Sequence, residues 1–318
     1  MKTKTIAILA TLAATGLGMA QTAYTTPVGY VTNSLNQGYN PIGLNLHSSV
    51  VATGILEAVS GTTLTDSNGA DLTSVLPAGR TFVLEITAGA GLGATQEFTT
   101  RTATTMDLPG SIGAALGSSY NVRIAPTLEE IFGTTTSLLK KSNVAGNADN
   151  VLVPNGLGGY IRYFLNSAGV WRNATTPGLA PNTPLVYLDG IFVQKVDAAV
   201  VNIVVSGQVK TKPTLSSITQ GFNLLSTVYP VGSTLQNLGM DSALKKSNVA
   251  GNADNVLFPD GAGGYVRYFL NSAGVWRNAT NPGLAPANLP ITSAIFIERK
   301  DLGAVPLNFV PPSFYSNL

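Results

Sequence analysis

The sequence predicts an all-β protein: antiparallel meanders forming sandwich-like domains, two homologous β repeat units, and one or two short helices. Three observations predict it. Only 11% of residues are charged, so the Glu/Lys/Arg-rich heptads of amphipathic helices are missing. β-Branched runs are cut by Gly, Pro and Asn at the spacing of tight turns. A block at Lys140–Pro181 recurs at Lys245–Pro286, offset by 105 residues and identical at 37 of 42 positions, which marks an internal repeat.

At the N-terminus, Lys2 and Lys4 precede an uncharged apolar run from Ile6 to Met19, and Gly18 and Ala20 place small residues before a cleavage point. This predicts a signal peptide over residues 1–20. The run falls short of the roughly 20 residues that a membrane span requires. The chain has no cysteine, which excludes disulfides and thiolate metal sites. The expectation is an exported protein, periplasmic, cell-surface or extracellular, without a transmembrane segment. Removing Lys2 and Lys4 from the 18 basic residues leaves 16 against 16 acids, so bulk charge gives no reason to expect nucleic acid as a partner.

The first unit, residues 21–125, reads as a β domain. RTFVLEIT alternates Phe82, Leu84 and Ile86 against Thr81, Val83, Glu85 and Thr87, and SSYNVRIAP alternates Tyr120, Val122 and Ile124 against Asn121 and Arg123. One face should pack and the other stay wet. GAGLGA at Gly89–Ala94 imitates a dinucleotide loop, but alternating β-branched residues follow where a helix N-terminus is required, so it reads as a hairpin turn. In TLEEIFG, Thr127 and Glu130 fit a capping box and Gly133 a C-terminal stop, which predicts one short helix. STLQNLG at Ser233–Gly239 holds the same place before the second copy.

Repeat unit 1 spans residues 126–206 and repeat unit 2 residues 207–318. Within each block, ADNVL, YIRYFLN (YVRYFLN in copy two) and VWRNA read as three strands separated by Gly-rich or Ser-Ala-Gly turns. Three strands cannot bury an apolar face alone, so each copy should pack on its twin or on the first unit. NQGYNPIG at Asn36–Gly43 echoes TQGFNLLS at Thr219–Ser226.

Candidate sites are few. His47 is the only histidine, with no GxSxG elbow to accompany it, and reads as a strand residue rather than a triad member. Asp66, Asn68 and Asp71 offer hard oxygens in one loop, a weak calcium motif without the later Glu of an EF-hand, and an ordinary Asx-rich turn is the favoured explanation. NADN at Asn147–Asn150 and Asn252–Asn255 suits backbone capping. The most suggestive set is aromatic and duplicated: Tyr160, Arg162 and Trp171, mirrored by Tyr265, Arg267 and Trp276. On an outward face these residues suit stacking against sugar rings or a protein partner; on an inward face they are core. Strand parity puts Tyr160, Arg162 and Phe164 together, opposite Ile161, Tyr163 and Leu165. Each block carries four basic residues against one or two acids, leaving the remainder acidic, a segregation that favours head-to-tail association.

PVGYVTNSLNQGYNPIG, VLEITAGAGLGATQEFTTRTATTMDL, YNVRIAPTLEEIFG and GGYIRYFLNSAGVWRNA together resemble uncharacterised secreted proteins of verrucomicrobial-type bacteria. The resemblance covers most of the chain after residue 20 and brings no catalytic residues with it. The sequence points to a non-enzymatic surface or structural protein that acts by association with itself or a protein partner. A carbohydrate- or polymer-binding module, with an extracellular polysaccharide as partner, is the alternative.

Overall fold

The computed structural model describes residues 26–134, 138–176, 178–180, 182–260, 264–281, 288–291 and 293–318. Residues 1–20, expected as the signal peptide, lie outside them. The fold is all-β, with six antiparallel sheets and two short α-helices among the described residues. No helix among them is long and apolar enough to cross a membrane.

The duplicated block forms the same meander twice. Asn150–Pro154 pairs with Tyr160–Leu165, which pairs with Trp171–Asn173, setting Pro154 opposite Tyr160 and Leu165 opposite Trp171. Copy two repeats this register, with Pro259 opposite Tyr265 and Leu270 opposite Trp276. Both meanders then gain the same two strands. Gly190–Lys195 adds beside Asn150–Pro154 and carries Gly38–Gly43 on its far side. Ala294–Arg299 adds beside Asn255–Pro259 and carries Gly221–Ser226. A two-stranded ribbon accompanies each sheet, Val28–Leu35 with Val201–Gln208 in one unit and Thr214–Ile218 with Val305–Phe309 in the other.

This pairing redraws the expected boundary. Residues 21–125 do not form one domain, because Val28–Leu35 and Gly38–Gly43 belong to repeat unit 1. The duplication therefore extends well beyond the near-identical block and includes the NQGYNPIG and TQGFNLLS echo. Between Gly38–Gly43 and the helix at Leu128–Phe132, the first copy carries an inserted module with its own two sheets, ordered Val50–Ile55, Ser119–Ile124, Phe82–Ala88, Thr95–Phe98 and Ala58–Ser60, Thr63–Thr65, Thr105–Asp107, Thr100–Arg101. Phe82, Leu84, Ile86, Tyr120 and Val122 fill a core separate from that of the repeats. GAGLGA is the hairpin turn between Phe82–Ala88 and Thr95–Phe98, and Gly89, Gly91 and Gly93 all adopt positive φ.

The opposite face of the module is not wet. Val83, Glu85 and Arg123 are buried with the rest. Glu85 accepts hydrogen bonds from Lys210 Nζ at 2.9 Å, Arg123 Nε at 3.2 Å and the Tyr187 hydroxyl. Burying a carboxylate costs heavily unless charges and donors surround it. Here two cations hold its pKa down at about 2 despite the opposing effect of burial. The face that alternation assigns to solvent is thus a seam, joined by Glu85 and Arg123 of the module, the Tyr187 hydroxyl of repeat unit 1 and Lys210 beyond it.

Local signals behave as their chemistry dictates. The Leu128–Phe132 helix starts with both halves of the capping box, Thr127 Oγ1 accepting from Glu130 N and Glu130 accepting from Thr127 N. Arg80 of the module grips the same Glu130 through two nitrogens at 2.9 and 2.8 Å. At the corresponding place in copy two, Thr234 and Asn237 exchange hydrogen bonds without an α-helix following. Asp149 of NADN is fully buried and accepts from Lys140 N, Val196 N and Lys195 Nζ, while Asp254 accepts from Lys245 N, Lys300 N and Arg299 Nη1. Asn150 and Asn255 donate to the carbonyls of the preceding turn. The stretch repeated in both copies is a structural clasp.

Candidate functional site

The two units pack on each other through the outer faces of their sheets. Phe192 and Phe296 occupy equivalent strand positions, and their rings meet at 5.4 Å. Equivalent residues in mutual contact mark an approximate two-fold relation, here within a single chain. Leu224 and Ala294 complete the buried part of the seam. Backbones approach closely there: a Cβ on Gly43 would stand 2.6 Å from the Ser293 carbonyl oxygen, and one on Gly190 would meet Leu224 at 2.5 Å.

Away from this contact the faces diverge and aromatic rings line the opening. Tyr160 lies 5.4 Å and Tyr39 6.0 Å from Phe192. Tyr265 lies 5.6 Å and Phe222 6.3 Å from Phe296. Four of these six rings are open to solvent, Tyr39 at 59%, Tyr160 at 36%, Phe222 at 58% and Tyr265 at 41%. Tyr39, Tyr160, Phe192 and Tyr265 line a cleft of about 840 Å³ between the Val28–Leu35 and Gly38–Gly43 strands and the Tyr265 hairpin. Burial raises the phenol pKa of Tyr160 and Tyr265, and for Tyr160 the neighbouring Tyr265 and Asp189 add to it, so both remain neutral hydroxyls. The lining contains no charged side chain among the described residues. Most of its amides are committed: Asn40 Nδ2 donates to three carbonyls and Gln37 Nε2 to Val196 O. Asn33 Nδ2 is the exception, a buried donor on the cleft wall with no partner among the described residues.

The six aromatic and basic candidates therefore separate. Tyr160 and Tyr265 reach the cleft. Arg162 and Arg267 lie outward on the same sheet faces, and Arg267 pairs with Glu298 at 3.5 Å. Trp171 and Trp276 do not join them. They are 1% and 7% exposed because each lies opposite an inward Leu in the ladder, and Trp171 Nε1 donates to Gly133 O at 3.3 Å. Sequence reading missed Tyr39, Phe192, Phe222 and Phe296. The available signal was the pairing of NQGYNPIG with TQGFNLLS and of IFVQ with IFIE, each placing an aromatic residue at an equivalent position.

The three weak calcium candidates, Asp66, Asn68 and Asp71, are held by protein groups in this fold. Asp66 is buried and accepts from Tyr120 Oη, Asn68 N and Gly69 N; Asn68 Nδ2 donates to Glu57; Asp71 caps the Leu72–Val75 helix through Thr73. Both oxygens of Asp66 and Oδ1 of Asp71 are thus occupied by protein donors, and no group of three or more His, Cys, Asp or Glu placed to hold a metal occurs among the described residues.

His47 is buried deeper than a strand-edge histidine. Its Nε2 lies 3.0 Å from Val228 O, which requires the proton on Nε2, and its ring packs against Tyr187 at 4.4 Å. Burial holds its pKa down at about 3, so it is a neutral part of the seam. Comparison with protein-family models gives no match, and comparisons with curated proteins and with solved structures give no significant similarity.

Proposed function

We propose that this is an exported, non-enzymatic protein that works by association, and that the aromatic cleft between the repeat units is its contact surface. The observation that carries this reading is the row of rings from Tyr39 and Tyr160 across Phe192 and Phe296 to Tyr265 and Phe222. Exposed aromatic groups over a packed base form the kind of anchor patch on which interfaces concentrate their energy. A second reading is supported by the cleft's chemistry: uncharged walls and neutral tyrosines suit a polysaccharide chain that stacks its rings.

Sedimentation of the protein at low and high salt, alongside Tyr160→Ala/Tyr265→Ala, tests the first reading. Reversible oligomers lost in the double variant support it, and a monomer under all conditions that ignores other proteins and glycans sinks it. Titration with neutral oligosaccharides, followed by tyrosine fluorescence, tests the second. Saturable quenching absent from the double variant supports it. The buried indoles make tryptophan emission the wrong reporter.

A further inference from the structure

We propose that repeat unit 1 also carries a pocket for an acidic sugar, and that the residues recurring at equivalent positions in repeat unit 2 form a second such site. In copy one a cavity of about 440 Å³ is bounded by Asn143, Phe164, Asn166, Arg172, Asn173 and Gly178 among its lining residues. All three amide oxygens are turned into the protein. Asn143 Oδ1 accepts from Ser167 N at 3.1 Å, Asn166 Oδ1 from Ala168 N and Val170 N at 3.1 and 2.9 Å, and Asn173 Oδ1 from Thr175 N and Thr176 N at 2.8 and 2.9 Å. An amide bound through its oxygen presents its NH₂, and two donors, to the other side. Arg172 sits across the ladder from Phe164, and its guanidinium has neither an ion pair nor a hydrogen bond to any described residue. No carboxylate lines the cavity among the described residues.

The result is a wall of donors with one unneutralised guanidinium over an apolar floor. Such a surface complements a carboxylate or sulfate. The volume is that of a ring-sized ligand rather than a bare ion. A sugar ring bearing a carboxylate meets both conditions, the acid facing Arg172 and the ring resting towards Phe164.

The duplication strengthens the inference. Asn248, Phe269, Asn271, Arg277 and Asn278 repeat the set at the 105-residue offset, with Gly283 outside the described residues. The hydrogen bonds repeat too: Asn248 Oδ1 accepts from Ser272 N at 3.1 Å, Asn271 Oδ1 from Ala273 N and Val275 N at 3.1 and 2.8 Å, and Asn278 Oδ1 from Thr280 N and Asn281 N at 2.8 and 3.1 Å. The five positions that differ between the blocks, at 153, 155, 157, 161 and 176, all fall outside the cavity lining. Copy two has Glu298 where copy one has Gln194, but Arg267 and Lys300 already pair with that acid. The two sites lie at the far end of the Tyr160–Leu165 and Tyr265–Leu270 strands from the cleft, so they stand or fall independently of the association reading.

Calorimetric titration with trigalacturonate tests the proposal. The expected result is two sites per chain, weakened by added salt. Arg172→Gln or Arg277→Gln alone should leave one site and the pair none. Neutral maltotriose should give no binding, and sodium sulfate should bind at least about tenfold more weakly. Both guanidinium groups lack partners among the described residues, so unfolding temperatures should stay unchanged. Asn143→Asp with Asn248→Asp supplies a second probe, keeping the turn oxygens while repelling the anion. Absence of trigalacturonate binding, undiminished binding in either double variant, or equal affinity for maltotriose or sulfate would overturn the acidic-sugar assignment.

Discussion

The two repeat units share a sheet, a register and a ribbon, yet only the first accepts a whole module between its second strand and its meander. In copy two the same connection runs from Ser226 to Asn255 with only turns and one 3₁₀ segment. The comparison teaches that the meander supplies its own closure. Asp149 and Asp254 each tie the start of the block to the end of the closing strand, and that clasp is indifferent to what precedes it. A long insertion costs little loop entropy when its ends are already held close. What the insertion adds is a seam, and there the two copies differ in chemistry: Glu85, Arg123, Lys210 and Tyr187 form a buried ionic cluster, and Arg80 reaches across to the Glu130 cap.

Glu85→Ala should break the comparison most severely, because it leaves Lys210 and Arg123 buried without their acid. The expected loss is about 3–5 kcal/mol in chemical denaturation. A loss below about 1 kcal/mol would show that the module does not depend on its ionic seam. Asp149→Asn and Asp254→Asn test whether the clasps are equivalent. Each removes the charge from a carboxylate that holds two backbone amides and a buried cation, so both should cost about 2–3 kcal/mol, measured the same way. A silent substitution in one copy would mean that the repeats do not share a stabilising design.

Asp189→Ser sharpens the comparison with the smallest change, because Ser293 is its counterpart in copy two. Burial raises the Asp189 pKa to about 6 from an ordinary 3.8. The folded state therefore binds more protons than the unfolded one between those values, and stability attributable to this group falls as pH rises through that window. The variant should gain about 1–2 kcal/mol at pH 7 and lose that slope. His47 works in the opposite sense: its lowered pKa makes folding weaken as pH falls below about 6.5, so the slope must be compared between variant and parent. An unchanged pH profile would remove Asp189 from the account.

Much of the molecule is legible in local pattern. Phe82, Leu84 and Ile86 face a core as their alternation requires, Thr127 and Glu130 form the cap their spacing specifies, and Ile161, Tyr163 and Leu165 turn inward together. The candidate site is less legible. Tyr160 and Trp171 belong to one aromatic set in sequence, but Trp171 faces the core because the hairpin register sets it opposite Leu165. Glu85 and Arg123 read as solvent-facing because one strand's periodicity cannot reveal a second layer arriving from residues near 187 and 210.

By itself the sequence determines the strand class, the turn positions, the duplicated meander and the parity of each strand, since these depend on neighbours two to four residues apart. Tertiary structure alone decided that Val28–Leu35 and Gly38–Gly43 belong to the first repeat, that two equivalent phenylalanines meet in the seam between the repeat units, and that four exposed rings gather around them. Those outcomes depend on contacts between residues about 100 to 180 positions apart, which side-chain periodicity along a single strand does not encode.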